Sequence, residues 1–153
     1  MMYNLGEWGE RLPDTSEPIE IVYPAGRILT SAVPVSISRS IAEAQSCYGV
    51  GAYDASAMMC RKAVEALCAE HKAEGRDLYA KLQSLREREI VDGKLYDWAE
   101  ALRLSGNFAA HDIENPVSQI DAKDLLEFCI AIIDYVYEFT AKYNQFMLRK
   151  LPF

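Results

Sequence analysis

The chain has 153 residues, half of them hydrophobic and a quarter charged, with a formal net charge of −7 and a sequence pI near 4.9. That size fits one domain with a sizeable core. The acidity excludes a surface built throughout as a nucleic-acid clamp, though a small basic cleft on an acidic body remains compatible with it. The longest apolar run, Phe128 to Ile133, falls far short of the roughly 20 residues of a spanning helix, and the opening "MMYNLGEWGERLPD" lacks the charged-then-apolar pattern of a secretion signal. No membrane association and a cytosolic, cytoplasmic location are therefore expected.

Residues 1–33 carry Pro13, Pro18 and Pro24 with Gly6, Gly9 and Gly26. They read as an irregular N-terminal arm with a short extended piece in "PIEIVYPAG". Trp8, Ile19, Ile21 and Tyr23 are its anchors, either against the domain or against a partner. Residues 34–153 read as the domain itself.

Pro34 suits the first turn of a helix. Ile37, Ile41, Ala44 and Tyr48 then follow helical spacing up to Gly49 and Gly51. A second helix is predicted over about 52–72, with Ala57, Cys60, Val64 and Leu67 on one face, Met58, Arg61 and Glu65 on another, and Gly75 as its end. A third spans roughly 77–89 on Leu78, Leu82 and Leu85. Asp92 is a natural N-cap for a fourth helix carrying Leu95, Trp98 and Leu102, stopped by Asn115 and Pro116. Ser118 with Asp121 three residues on resembles a capping box and opens the longest helix, expected to reach about Leu148. Its middle, "LLEFCIAIIDYVYEF", is apolar on nearly all sides, so it is surrounded by other helices or packed on another chain. Tyr135, Tyr137, Phe139, Tyr143 and Phe146 recur at helical spacing, which core packing explains for most of them. The excess favours a partner surface, most simply a homodimer. The fold class is thus all-α, an antiparallel bundle of about five helices.

Cys47, Cys60, Cys68 and Cys129 form no CxxC pair, and neither His71 nor His111 continues a zinc pattern. They read as reduced thiols in a core. No metal and no cofactor is expected.

The segment "RLSGNFAAHD" carries the chemistry. Arg103, Asn107 and His111 are spaced by four, and each step turns about 400°, so all three share one helix face, with about 12 Å between the first and the last. Arg is a fixed positive fork for phosphate. His accepts or donates a proton near neutral pH, and Asn orients either. Together they suit attack of an RNA 2'-hydroxyl on its own phosphate without a metal. The plainer reading makes His111 a helix-dipole cap, Asn107 a buried hydrogen-bonding residue, and Arg103 a partner of Glu100 or Asp112. Gly106 costs its helix about 1 kcal/mol relative to Ala, which implies close approach by another backbone, a local bend or room for a ligand. Arg61 and Glu65, spaced i, i+4, make a helix salt bridge or face the motif helix.

"GAYDASAMMCRKAVEALC", "LRLSGNFAAHD" and "SQIDAKDLLEFCIAIIDYVYEF" resemble the domain of unknown function 4145, a bacterial branch of the HEPN superfamily, over about 34–143. The resemblance implies a HEPN-like bundle that dimerises. In many relatives it also implies a metal-independent endoribonuclease of toxin–antitoxin or other defence systems. The typical motif is an Arg, four to six residues, then a His, with Asn often after the Arg. Here Asn107 and His111 keep their places, Gly106 stands where the Arg is expected, and Arg103 precedes His111 by seven intervening residues. By this resemblance His111 is the general acid or base, Arg103 the stabiliser of a phosphorane and Asn107 the orienting group. These are the candidate catalytic residues; Arg61, Glu65 and Ser105 are the candidate binding residues. RNA and a partner protein of a bacterial or phage-related defence system are the implied partners. Three functions stay open: the ribonuclease, a non-catalytic module for dimerisation or for binding nucleic acid or protein, and an inactive regulatory relative. The geometry at Gly106 discriminates. Arg103 and His111 in one cleft favour the enzyme; Arg103 tied to Glu100 or Asp112 favours the module.

Overall fold

The structure is a computed structural model that describes residues 32–151. The expected arm at 1–33 thus lies almost wholly outside the described residues. Among those described, all regular structure is helical, and the helices form a bundle. They are α1 (Val35–Gly49), α2 (Tyr53–Glu70), α3 (Leu78–Glu87), α4 (Gly93–His111), α5 (Gln119–Ile133), a π-helical segment (Asp134–Phe139) and α6 (Thr140–Lys150). The last three run on without a break, as one long helix with a widened turn in its middle.

Helix α2 is the central element and packs on α1, α3, α4 and α5. Its buried face is Ser56, Ala57, Cys60, Ala63, Val64, Leu67 and Cys68. The small side chains among them, Ser56, Ala57, Cys60, Ala63 and Cys68, let neighbouring axes approach closely. Most of the large residues come from the partners: Ile37 and Ile41 from α1, Leu82 and Leu85 from α3, Leu102 from α4, and Leu126, Ile132 and Ile133 from α5 are all fully buried, as is Leu67 of α2 itself. Each contributes about 1.5–3 kcal/mol by leaving water. The polar Ser56 is tolerated there because its Oγ donates to the Ala44 carbonyl at 2.9 Å.

The caps follow the sequence closely. Asp77, Asp92 and Ser118 each accept a backbone N–H three residues on, from Ala80, Leu95 and Asp121. Helix α1 ends at Gly49, and Gly51 adopts φ +79°. The Gly51 N–H then reaches the Tyr48 carbonyl and the Ala52 N–H reaches that of Cys47, a Schellman closure. Helix α2 differs from expectation. It stops at Glu70, ahead of Gly75, and Lys72 takes the left-handed position at φ +50° while the Ala73 N–H bonds the Cys68 carbonyl. Helix α4 stops at His111, short of the expected Asn115, because the Asp112 carboxylate captures the N–H groups of Glu114 and Asn115 in a local turn.

The aromatic residues at the chain's end correct a further expectation. Tyr137 is partly buried, its ring 5.7 Å from that of His71, which is itself half-buried at the end of α2. Tyr135, Phe139, Tyr143 and Phe146 are all exposed, so core packing does not account for most of the set. Helix α6 buries no residue and, among the described residues, contacts only the π-helical segment before it.

Candidate functional site

Helix α4 distributes the motif residues between two neighbours. Arg103, Asn107 and His111 lie on it at successive offsets of about 40°, which sums to about 80° between Arg103 and His111. That angle is enough to separate them. Arg103 turns toward α3, where its guanidinium lies 5.3 Å from the centre of the Tyr79 ring. Its Nε and Nη2 donate to the two carboxylate oxygens of Glu100 at 3.0 and 2.9 Å. Both side chains are mostly shielded, 23% and 17% exposed. The hydrogen bonds to Glu100 raise the Arg103 pKa further above its ordinary value. Asp112, the other partner considered, is occupied by its own turn.

Asn107 and His111 turn instead toward α2. They line a cleft of about 320 Å³ with Gly106 on their own helix and Met58, Arg61, Lys62 and Glu65 on α2. Arg103 and Ser105 are not among its lining residues. Arg61 combines both of its expected settings. Its Nε pairs with Glu65 Oε1 at 3.3 Å, and its Nη1 donates to the Arg103 backbone carbonyl at 3.0 Å, so it spans from α2 to α4. Gly106 makes this crossing feasible. A β-carbon there would meet Arg61 Cβ at 2.6 Å, Cδ at 3.0 Å and Cγ at 3.2 Å. The close approach at Gly106 is therefore to the stem of a side chain, where another backbone was expected.

Lys62 is the cleft residue that reading the sequence passed over. The signal was present: Met58, Lys62 and Glu65 are spaced i, i+4, i+7 and form an exposed stripe beside Arg61. Lys62 and Glu65 also line a second recess of about 360 Å³ between α1 and α2, which reaches Arg39 and Glu43. The two recesses share these residues across α2, and together they carry Arg39, Arg61, Lys62 and His111 with Glu43 and Glu65.

This donor set suits an anion better than a metal. Among the described residues, no three His, Cys, Asp or Glu side chains come together as a metal site requires. Two cations, an amide and an imidazole offer charge and hydrogen bonds to a phosphodiester, while Glu65 competes for Arg61. The four cysteines are free thiols; Cys60, Cys68 and Cys129 are buried and Cys47 is half-buried. No helix among the described residues is long and apolar enough to cross a membrane.

The family described as Domain of unknown function (DUF4145) matches residues 42–150. The chain belongs to this family. The matched span of this DUF4145 member runs from within α1 through α6 and includes every residue lining the Arg61–His111 cleft. No curated protein and no solved structure matches the chain.

Proposed function

We propose that this DUF4145 chain is a HEPN-like binding module of a bacterial or phage-related defence system. It acts as a homodimer and holds the phosphate backbone of RNA in the cleft between α2 and α4 without cleaving it. The observation that carries this reading is the bidentate Arg103–Glu100 pair. The Arg nearest the motif His in sequence is committed to a carboxylate and an aromatic ring on the α3 side of the helix. Gly106 stands where the Arg of the typical motif is expected, so the residue needed to stabilise a phosphorane is missing from that place. What faces the cleft is a set able to bind phosphate: Arg61, Lys62, Asn107 and His111. Arg39 extends it through the adjoining recess. On a chain of net charge −7 such binding is local and weakens steeply with salt.

One observation favours a second reading, the metal-independent endoribonuclease. Arg61 shares the cleft with Asn107 and His111 and is in place to stand in for the missing Arg. His111 would then take or give the proton and Arg61 would face the charged phosphate.

A single experiment separates the two. Single-stranded RNA oligonucleotides are incubated in EDTA with the wild-type chain and with Arg61→Ala, Arg103→Ala and His111→Ala, and both retention and cleavage are scored. The binding module requires intact RNA that is retained by wild type and Arg103→Ala and released by Arg61→Ala. Cleavage that survives EDTA and disappears in both Arg61→Ala and His111→Ala would replace it with the nuclease. Folded wild-type chain that neither binds nor cuts RNA would sink both and leave a protein partner.

A further inference from the structure

The aromatic face of the π-helical segment and α6, uncovered among the described residues, is separate from the cleft. Tyr135, Phe139, Tyr143 and Phe146 are 45%, 53%, 61% and 47% exposed, too much aromatic surface for chance scatter. Their spacing of four, four and three places them on one side of the continuous helix. Helix α6 carries Lys142, Arg149 and Lys150 and no carboxylate. Pairing this face with its own copy would set a charge of +3 against +3 within a short helix, which disfavours an isologous dimer here.

The segment 1–31 has the complementary chemistry. It holds Glu7, Glu10, Asp14, Glu17 and Glu20 against Arg11 and Arg27, a net charge of −3, and it contains Trp8, Ile19, Ile21 and Tyr23. The described chain also begins at the right end of the bundle. Val33 is buried, and Ser36 Oγ lies 3.5 Å from Glu70 Oε1 at the end of α2. His71, next to Glu70, packs against Tyr137 of the π-helical segment from which α6 continues. Helix α6 is about 16 Å long at 1.5 Å per residue, and 31 residues reach roughly 100 Å when extended, so length is no obstacle.

We propose that residues 1–31 of this chain dock on the exposed aromatic face of the π-helical segment and α6, with their carboxylates toward Lys142, Arg149 and Lys150. Amide hydrogen exchange on the full chain, run over a range of concentrations with its mass followed in parallel, tests this. The expected result is exchange at least tenfold slower than random coil for amides around Glu17 to Tyr23. That protection should be lost in Phe139→Ser/Tyr143→Ser and weakened in Lys142→Glu/Arg149→Glu, while bundle amides stay as in wild type. The second variant changes only exposed charges, so it still reports if the first unfolds. Full exchange of 1–31 in the wild type would overturn the proposal, as would protection that survives both variants. Protection that falls off with dilution would assign the face to a second copy and overturn it equally.

Discussion

The Cβ of Arg61 lies 2.6 Å from where a β-carbon on Gly106 would be. The contact is to the root of the side chain, which a rotamer change cannot move, so one of the two helices must shift to make room. Alanine would gain about 1 kcal/mol in helix propensity over glycine, but overpacking of this kind costs about 1–3 kcal/mol. Gly106→Ala is therefore expected to destabilise the bundle by about 1 kcal/mol, read by urea denaturation. Arg61→Ala keeps its own Cβ and should not rescue it. Rescue by Arg61→Ala would mean that the outer stem, and not the helix approach, sets the constraint.

Two i-spaced ion pairs of the site differ in what they contribute. Arg103–Glu100 is bidentate and largely shielded, whereas Arg61–Glu65 is a single contact with Glu65 48% exposed. A double-mutant cycle on Arg103→Ala and Glu100→Ala should give a coupling of about 1 kcal/mol. The same cycle on Arg61 and Glu65 should give no more than about 0.5 kcal/mol. Equal couplings would remove the distinction between a structural arginine and one available to a ligand.

Two helix ends place ordinary residues in the left-handed region, Lys72 at φ +50° and Glu89 at φ +59°. Both are exposed, and their flanking N–H groups complete Schellman-type closures onto Cys68 and Leu85 carbonyls. Lys72→Gly and Glu89→Gly should each stabilise the fold by about 0.5–1 kcal/mol, because glycine adopts this conformation without a Cβ penalty. A fall in melting temperature for either would contradict the assigned backbone.

Alkaline pH should weaken the fold. Burial pushes the Cys68 thiol from 9.0 up to about 11, with Lys81 opposing and Glu65 adding to the shift. Burial and then Glu70 push Tyr137 from 10.0 up to about 12. In both cases the folded state holds its proton more tightly than the unfolded chain. The associated stability is therefore complete below pH 9 and is lost as pH rises toward 12. Melting temperatures between pH 7 and 11 should be flat and then fall. Tyr137→Phe should reduce the fall above pH 10. It should also raise stability at neutral pH by about 1 kcal/mol, since the buried Tyr137 hydroxyl has no hydrogen-bond partner among the described residues. An unchanged alkaline slope in Tyr137→Phe would exclude that residue as its source.

Local rules were enough for most of the architecture. The apolar spacing of Ile37, Ile41, Ala44 and Tyr48, or of Leu78, Leu82 and Leu85, names the buried faces because only one rotation of an amphipathic helix hides them from water. Asp92 and Ser118 mark helix starts because their oxygens satisfy N–H groups within three residues. The end of α2 was less legible. Gly75 was the obvious stop, yet the Ala73 N–H closes onto the Cys68 carbonyl ahead of it, with Lys72 in the left-handed position that glycine usually takes.

The site divides in the same way. That Arg103, Asn107 and His111 lie on one helix follows from their spacing. Their destinations do not, because a drift of about 80° across two steps matters only when neighbours stand on either side. Helix α3 offers Tyr79 to Arg103, and α2 offers Arg61 and Lys62 to Asn107 and His111. Sequence alone determined the bundle, its caps and its polar motif, all of which rest on contacts within a turn or two of helix. Tertiary packing alone decided which arginine shares a cleft with His111, because that cleft brings together residues 50 positions apart and depends on a glycine thin enough to let one helix lie against the stem of the other's side chain.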